Sequence, residues 1–108
     1  MTAQPSPLAL VPFVSVDHML RLVNQVGIAP MLTGIAAGIE RDFRRWESFH
    51  KTARIPAHSD KGVIELMPTS DGELYGFKYV NGHPGNMKSG RQTVTAFGLL
   101  AEMATGYP

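Results

Sequence analysis

The sequence predicts an α+β fold, with two N-terminal helices followed by a mainly antiparallel sheet. Three observations carry that expectation. Apolar residues recur at helical spacing from Ser15 to Phe49, and the period changes to two from Thr52 onward. Turn sequences then separate the alternating runs. A length of 108 residues leaves room for one domain, and a hydrophobic share of 44% separates the chain from disordered tails.

Residues 1–12, MTAQPSPLALVP, hold three prolines and no helical period, so a flexible leader is expected ahead of a domain over 13–108. Ser15 is placed to cap a first helix carrying Met19, Leu22, Val23 and Val26, and Gly27 supplies its stop. A second helix is expected over 30–49. Pro30 suits its first turn, and Leu32, Ile35, Ile39, Phe43 and Trp46 form its stripe. Gly34 and Gly38, four residues apart, allow close approach of another element. The charged end, RDFRRWESFHK, reads as a phosphate patch or as a solvated face with a Glu40–Arg44 pair. The interleaved Glu40, Asp42 and Glu47 favour the solvated face.

Strands are expected over 52–57, 63–69, 74–81 and 93–100. Turns are expected at His58-Ser-Asp-Lys-Gly62 and at Ser70-Asp-Gly-Glu73, and Asn81-Gly-His-Pro-Gly-Asn86 reads as a polar loop. The chain ends just after a turn at 104–108, which suggests an incomplete protein.

Ten Lys+Arg against nine Asp+Glu leave a net charge of +1, without the basic excess that nucleic-acid binding draws on. The absence of Cys excludes disulfides, thiolate metal sites and cysteine nucleophiles. His18, His50, His58 and His83 have no metal-ligand spacing and read as surface or turn residues, so no metal is expected. Gly82, Gly85 and Gly90 form no dinucleotide fingerprint, and no nucleophile elbow occurs. No apolar stretch suits a bilayer, and Met1 to Pro7 lacks the basic start of a secretory signal, so a cytoplasmic setting is expected. Tyr75, Phe77 and Tyr79 alternate along one strand. They suit base stacking, or more commonly a core or subunit interface.

Register brings three charges together. A two-residue turn at Asp71-Gly72 sets Ser70 opposite Glu73 and hence Glu65 opposite Lys78, with Cβ atoms about 5 Å apart. A two-residue turn at Asp60-Lys61 sets Arg54 across from Met67, diagonal to Glu65 on the same face. One reading is a cross-strand Glu65–Lys78 ion pair on a solvated face. The other is a site for a small zwitterion. Arg54 would clamp its carboxylate bidentately. Lys78 would add positive charge or move a proton, and Glu65 would position a water or an ammonium group.

Several runs carry a resemblance. They are Lys51-Thr-Ala-Arg-Ile-Pro-Ala-His-Ser59, Gly62-Val-Ile-Glu-Leu-Met-Pro68, Tyr75-Gly-Phe-Lys-Tyr-Val-Asn-Gly-His-Pro84 with Asn86, Gln92-Thr-Val-Thr-Ala-Phe-Gly98 and Gly106-Tyr-Pro108. With Gly27-Ile-Ala-Pro30 and Asp42-Phe-Arg-Arg-Trp46, they resemble the ornithine cyclodeaminase/mu-crystallin family over roughly 13–108, and its ornithine cyclodeaminase branch above the others. The resemblance implies conversion of L-ornithine to L-proline and ammonia, with NAD taking and returning a hydride. It places Arg54 and Lys78 at the substrate carboxylate and Glu65 at an acidic position that handles protons or water, with Glu65 and Lys78 the catalytic pair. It places Thr93 at the dinucleotide. It further implies a homodimer and a substrate-binding and dimerisation domain.

In that family a Rossmann domain with a Gly-rich phosphate loop follows, and the 108 residues do not contain it. The implied identity is an N-terminal segment, inactive alone. A stand-alone amino-acid-binding or dimerisation module is the alternative. A ligand-free remnant, or a nucleic-acid binder resting on Arg41–Arg45 and the strand aromatics, stands further off. Lysine or another diamino acid would fit the same residues as ornithine.

Overall fold

The computed structural model describes residues 10–108. The leader expected over 1–12 falls mostly outside the described residues, and 10–12 carry no helix or strand. The chain divides into two compact units, residues 1–43 and 44–108.

The first unit is helical. Helix α1 (Val16–Val26) starts where the cap was expected: Ser15 Oγ accepts from the His18 backbone N–H, and the His18 ring bonds back to the Ser15 N–H. This reciprocal cap satisfies two of the donors a helix start leaves open. Gly27 ends α1 with φ +90°, its N–H donating to the Val23 carbonyl. Its own carbonyl accepts from the Met31 N–H, so one residue closes α1 and opens α2 (Ile28–Arg44). The second helix therefore begins two residues before Pro30, which loses nothing in a first turn where no N–H is needed. It also ends earlier than expected, and Trp46–Ser48 form a single 3-10 turn. The α2 stripe was read correctly, but Leu32, Ile35, Ile39 and Phe43 are all half exposed or more.

The second unit is a five-stranded antiparallel sheet. Strands β3 (Gly62–Ser70), β4 (Leu74–Gly82) and β5 (Val94–Glu102) run in sequence order. Two short strands, β1 (His50–Lys51) and β2 (Ile55–Ser59), share the other edge of β3. Residues 50 and 51 were expected at or beyond a helix end, and 52–54 within a strand. Instead, 52–54 interrupt the edge. Three residues there face two, Met67 and Pro68, between the Lys51–Thr69 and Ile55–Leu66 pairs. Pro68 has no N–H for the ladder, which suits a break at this point. Pro84–Ser89, read as loop, form a 3-10 segment.

Alternation gives the sheet two faces. One carries Tyr75, Phe77, Tyr79 and Phe97, with Phe97 stacked on Tyr79 at 5.0 Å and edge-on to Phe77 at 6.1 Å. The other carries Glu65, Lys78, Gly76, Gly82, Ala96 and Gly98. Among the described residues only Ala101 is buried, and Phe97 is 61% exposed, so the aromatic row is not a closed core within this chain.

Candidate functional site

The two hairpin turns set the site. The first lies where expected: Ser59 pairs with Gly62 around Asp60-Lys61, and Ile55 pairs with Leu66. Continuing this register places Arg54 beside Met67. The second turn lies one residue later than expected. Ser70 pairs with Tyr75 rather than Glu73, and the Asp71 N–H donates to the Leu74 carbonyl at 3.1 Å. The two-residue loop is therefore Gly72-Glu73.

The cause is the Asp71 side chain. Its Oδ1 accepts from the backbone N–H of Glu73 and of Leu74, at 3.0 and 2.8 Å. Its Oδ2 accepts from Arg45 at 2.9 Å. Gly72 then takes φ +93°, which it supplies without steric cost. The Leu74 N–H, the Arg45 guanidinium and the Glu73 N–H, in that order, hold the Asp71 carboxyl at about 2, below its ordinary 3.8. Arg45 also stacks over the Phe49 ring at 4.5 Å.

Glu65 is therefore opposite Val80, and Lys78 is opposite Met67. The expected direct Glu65–Lys78 pairing does not occur. Moving the loop by one residue shifts the pairing by two, so both side chains keep the same face and become diagonal neighbours.

What the structure does bring together is Arg54 and Glu65. Arg54 Nη1 donates to Glu65 Oε2 at 3.0 Å. Arg54 lies in the interrupted edge segment just before β2, where one extra residue re-aims a side chain. Glu65 sits on central β3, with its side chain 19% exposed, while that of Arg54 is 60% exposed. Lys78 is exposed and has no ion-pair partner among the described residues. Around Met67 this face thus holds two cations, Arg54 and Lys78, and one anion, Glu65; Lys51 and Glu102 lie toward its Thr69–Leu74 end. Arg54 and Lys78 stand two strand spacings apart, about 10 Å between backbones, with Met67 between them. A carboxylate between two such cations is the ligand this arrangement favours.

Thr93 stands elsewhere, just before β5. Its carbonyl accepts from the His83 N–H at 2.8 Å, and it lines a shallow, mostly apolar pocket of about 330 Å³ with Gly82, His83, Pro84, Met87 and Val94. Gly82 and Val94 lie on the face of Lys78, about 13 Å along β4 from it. The pocket offers one hydroxyl-bearing side chain and an apolar wall. Among the described residues, no strand leads through a glycine-rich loop into a helix that could cradle a diphosphate. These residues can touch one part of a dinucleotide and do not by themselves make its site.

Sequence reading missed Asn81 and His83. The Asn81 amide bridges Thr95 and the His83 ring. The adjacent glycine in Asn81-Gly-His-Pro masked this bridge by reading as loop.

Fold and site together define a class: an α+β chain whose antiparallel sheet carries a paired arginine and an unpaired lysine on one face. The chain belongs to the ornithine cyclodeaminase/mu-crystallin family, whose sequence profile matches residues 16–108. It is 62% identical over all 108 residues to an ornithine cyclodeaminase of Brucella abortus, covering 30% of that protein. It is 65% identical over 101 residues, 94% of this chain, to an ornithine cyclodeaminase of Agrobacterium tumefaciens, covering 28% of it. The chain therefore spans under a third of the length of these relatives. Among solved structures it is similar to an archaeal alanine dehydrogenase dimer with bound NAD. That match has 31% identity and a TM-score of 0.55, and covers 60% of this chain and 20% of the other.

Proposed function

We propose that this chain supplies the amino-acid-binding part of an NAD-dependent ornithine cyclodeaminase, which converts L-ornithine to L-proline and ammonia. The observation that carries this reading is the Arg54–Glu65 pair on the same sheet face as the unpaired Lys78. Arg54 receives the α-carboxylate through the guanidinium N–H groups that Glu65 does not use. Lys78 approaches the same carboxylate from β4. Glu65 orients Arg54 and offers its other carboxylate oxygen to a water or a proton near the substrate amine. Thr93, beside Val94 at the start of β5, is proposed as a contact for the dinucleotide. The names of the relatives support the substrate, and the NAD-bound dehydrogenase supports the cofactor.

A homodimer in a cytoplasmic setting belongs to the same reading. The part-exposed aromatic face, with Phe97 exposed, and the dimeric neighbour support the dimer. The 108 residues alone are proposed to bind the amino acid and not to turn it over, because their described residues provide no diphosphate cradle. The test is calorimetry of the chain with L-ornithine, together with assays for ammonia and proline after NAD is added. Binding without product is expected. Absence of L-ornithine binding overturns the site, and product formation overturns the claim of inactivity.

A further inference from the structure

We infer that Asn81 is a positioning residue that sets where Thr93 stands, by gripping the chain on both sides of it. Its Oδ1 accepts from the Thr95 backbone N–H at 2.7 Å and from the Thr95 hydroxyl. Its Nδ2 lies 3.0 Å from His83 Nδ1. His83 in turn donates its backbone N–H to the Thr93 carbonyl. Thr93 is thus tied at its own carbonyl to His83, and two residues on to Asn81 directly.

The hydrogen-bond roles in this network follow from one group. A backbone N–H can only donate, so the Asn81 atom facing Thr95 is the oxygen, and the atom facing His83 is the NH₂ group. His83 Nδ1 must then accept, and the ring proton sits on Nε2. The ring is held from below as well. A Cβ at Gly62 would collide with the Gly82 carbonyl oxygen and lie 2.9 Å from His83 Cγ, so the imidazole rests close over the Gly62 backbone. Thr93 itself makes no side-chain hydrogen bond among the described residues and lines the pocket with Gly82, Met87 and Val94. Fixed at its backbone and unpartnered at its hydroxyl, it is a prepositioned donor and acceptor for a ligand.

The functional meaning of this arrangement rests on the proposed contact between Thr93 and the dinucleotide, whereas the positioning itself does not. Nitrogen NMR of the chain separates the two. His83 Nδ1 is expected to be unprotonated in the native chain and protonated in Asn81→Asp, whose carboxylate still accepts from Thr95 but now also accepts from His83. In Asn81→Ala the Thr95 amide exchanges about tenfold faster, the equivalent of one lost hydrogen bond. The chain is also titrated with NAD, followed at the Thr93 methyl group. Asn81→Ala weakens that response and Asn81→Asp restores it, a rescue that loss of general stability does not produce. A protonated Nδ1 in the native chain overturns the positioning role. So does an Asn81→Ala chain in which Thr95 exchange and the Thr93 resonances stay unchanged. If Asn81→Ala does not fold, the native tautomer and Asn81→Asp decide the matter. A native Thr93 that ignores NAD overturns only the cofactor contact.

Discussion

Removing the Arg54 guanidinium is expected to cost this protein most of its affinity for an amino-acid carboxylate. In the native site one N–H group of Arg54 is engaged by Glu65 at 3.0 Å, and the side chain is 60% exposed. A carboxylate gripped by the remaining N–H groups gains charge-assisted hydrogen bonds worth about 1.5–3 kcal/mol. Arg54→Ala also leaves the Glu65 carboxylate, only 19% exposed, facing the incoming carboxylate without a counter-charge. That repulsion adds about 1 kcal/mol at 4 Å even with the dielectric of water. The total, roughly 2.5–4 kcal/mol, corresponds to about 60- to 700-fold weaker binding. Arg54→Lys keeps the charge and loses the planar fork, so it falls between. Arg54→Ala/Glu65→Gln relieves the repulsion and recovers about fivefold relative to Arg54→Ala. Calorimetric titration with L-ornithine measures all four proteins. An Arg54→Ala protein that binds L-ornithine within twofold of the native chain refutes the reasoning.

Stability follows different rules at the same residues. The Arg54–Glu65 pair is exposed on its arginine side, so a double-mutant cycle in urea should give a coupling of only about 0.2–1 kcal/mol; coupling of several kcal/mol would contradict that estimate. Asp71 stabilises the fold fully above its unfolded value of 3.8, and that contribution is lost as pH falls through about 2. The urea midpoint of the native chain should therefore drop more steeply between about pH 4 and pH 2 than that of Asp71→Asn, and parallel curves would show otherwise. Ser15→Ala removes the reciprocal cap of α1 and should cost about 1 kcal/mol of helix stability, seen as lost helical dichroism. Gly62→Ala should open the Val63–Gly82 end of the β3–β4 ladder, because its Cβ meets the Gly82 carbonyl; unchanged amide protection there would rule this out.

Much of this architecture was legible because local signals agreed. Ser15 and Gly27 bracketed α1, and the Asp60-Lys61 turn put Arg54 on the face of Glu65. Family resemblance pointed to the same residues. The second turn was misplaced because Asp71-Gly72 is a strong turn pair in sequence, whereas the Asp71 side chain caps the loop from outside it. The face survived that error because a one-residue slip of a loop preserves side-chain parity, while the partner did not. Lys78 thus lost an expected partner, and Glu65 proved to be bonded to Arg54. The end of α2 and the short β1 were illegible because Trp46, Phe49 and Lys51 are joined by local contacts that follow neither the helical nor the strand period. The Lys51 ammonium donates to the carbonyls of Trp46 and Phe49 and lies over the Trp46 ring at 4.8 Å. Asn81 was hidden for a different reason, since its partner Thr95 is a strand away.

The most direct test of the central claim is an NMR titration of the chain with L-ornithine beside an equal titration with putrescine, which keeps two amines and lacks the carboxylate. The account predicts that L-ornithine shifts the resonances of Arg54, Glu65 and Lys78 and that putrescine leaves Arg54 and Lys78 unmoved. Equal responses to both ligands, or shifts confined to other residues, would contradict it.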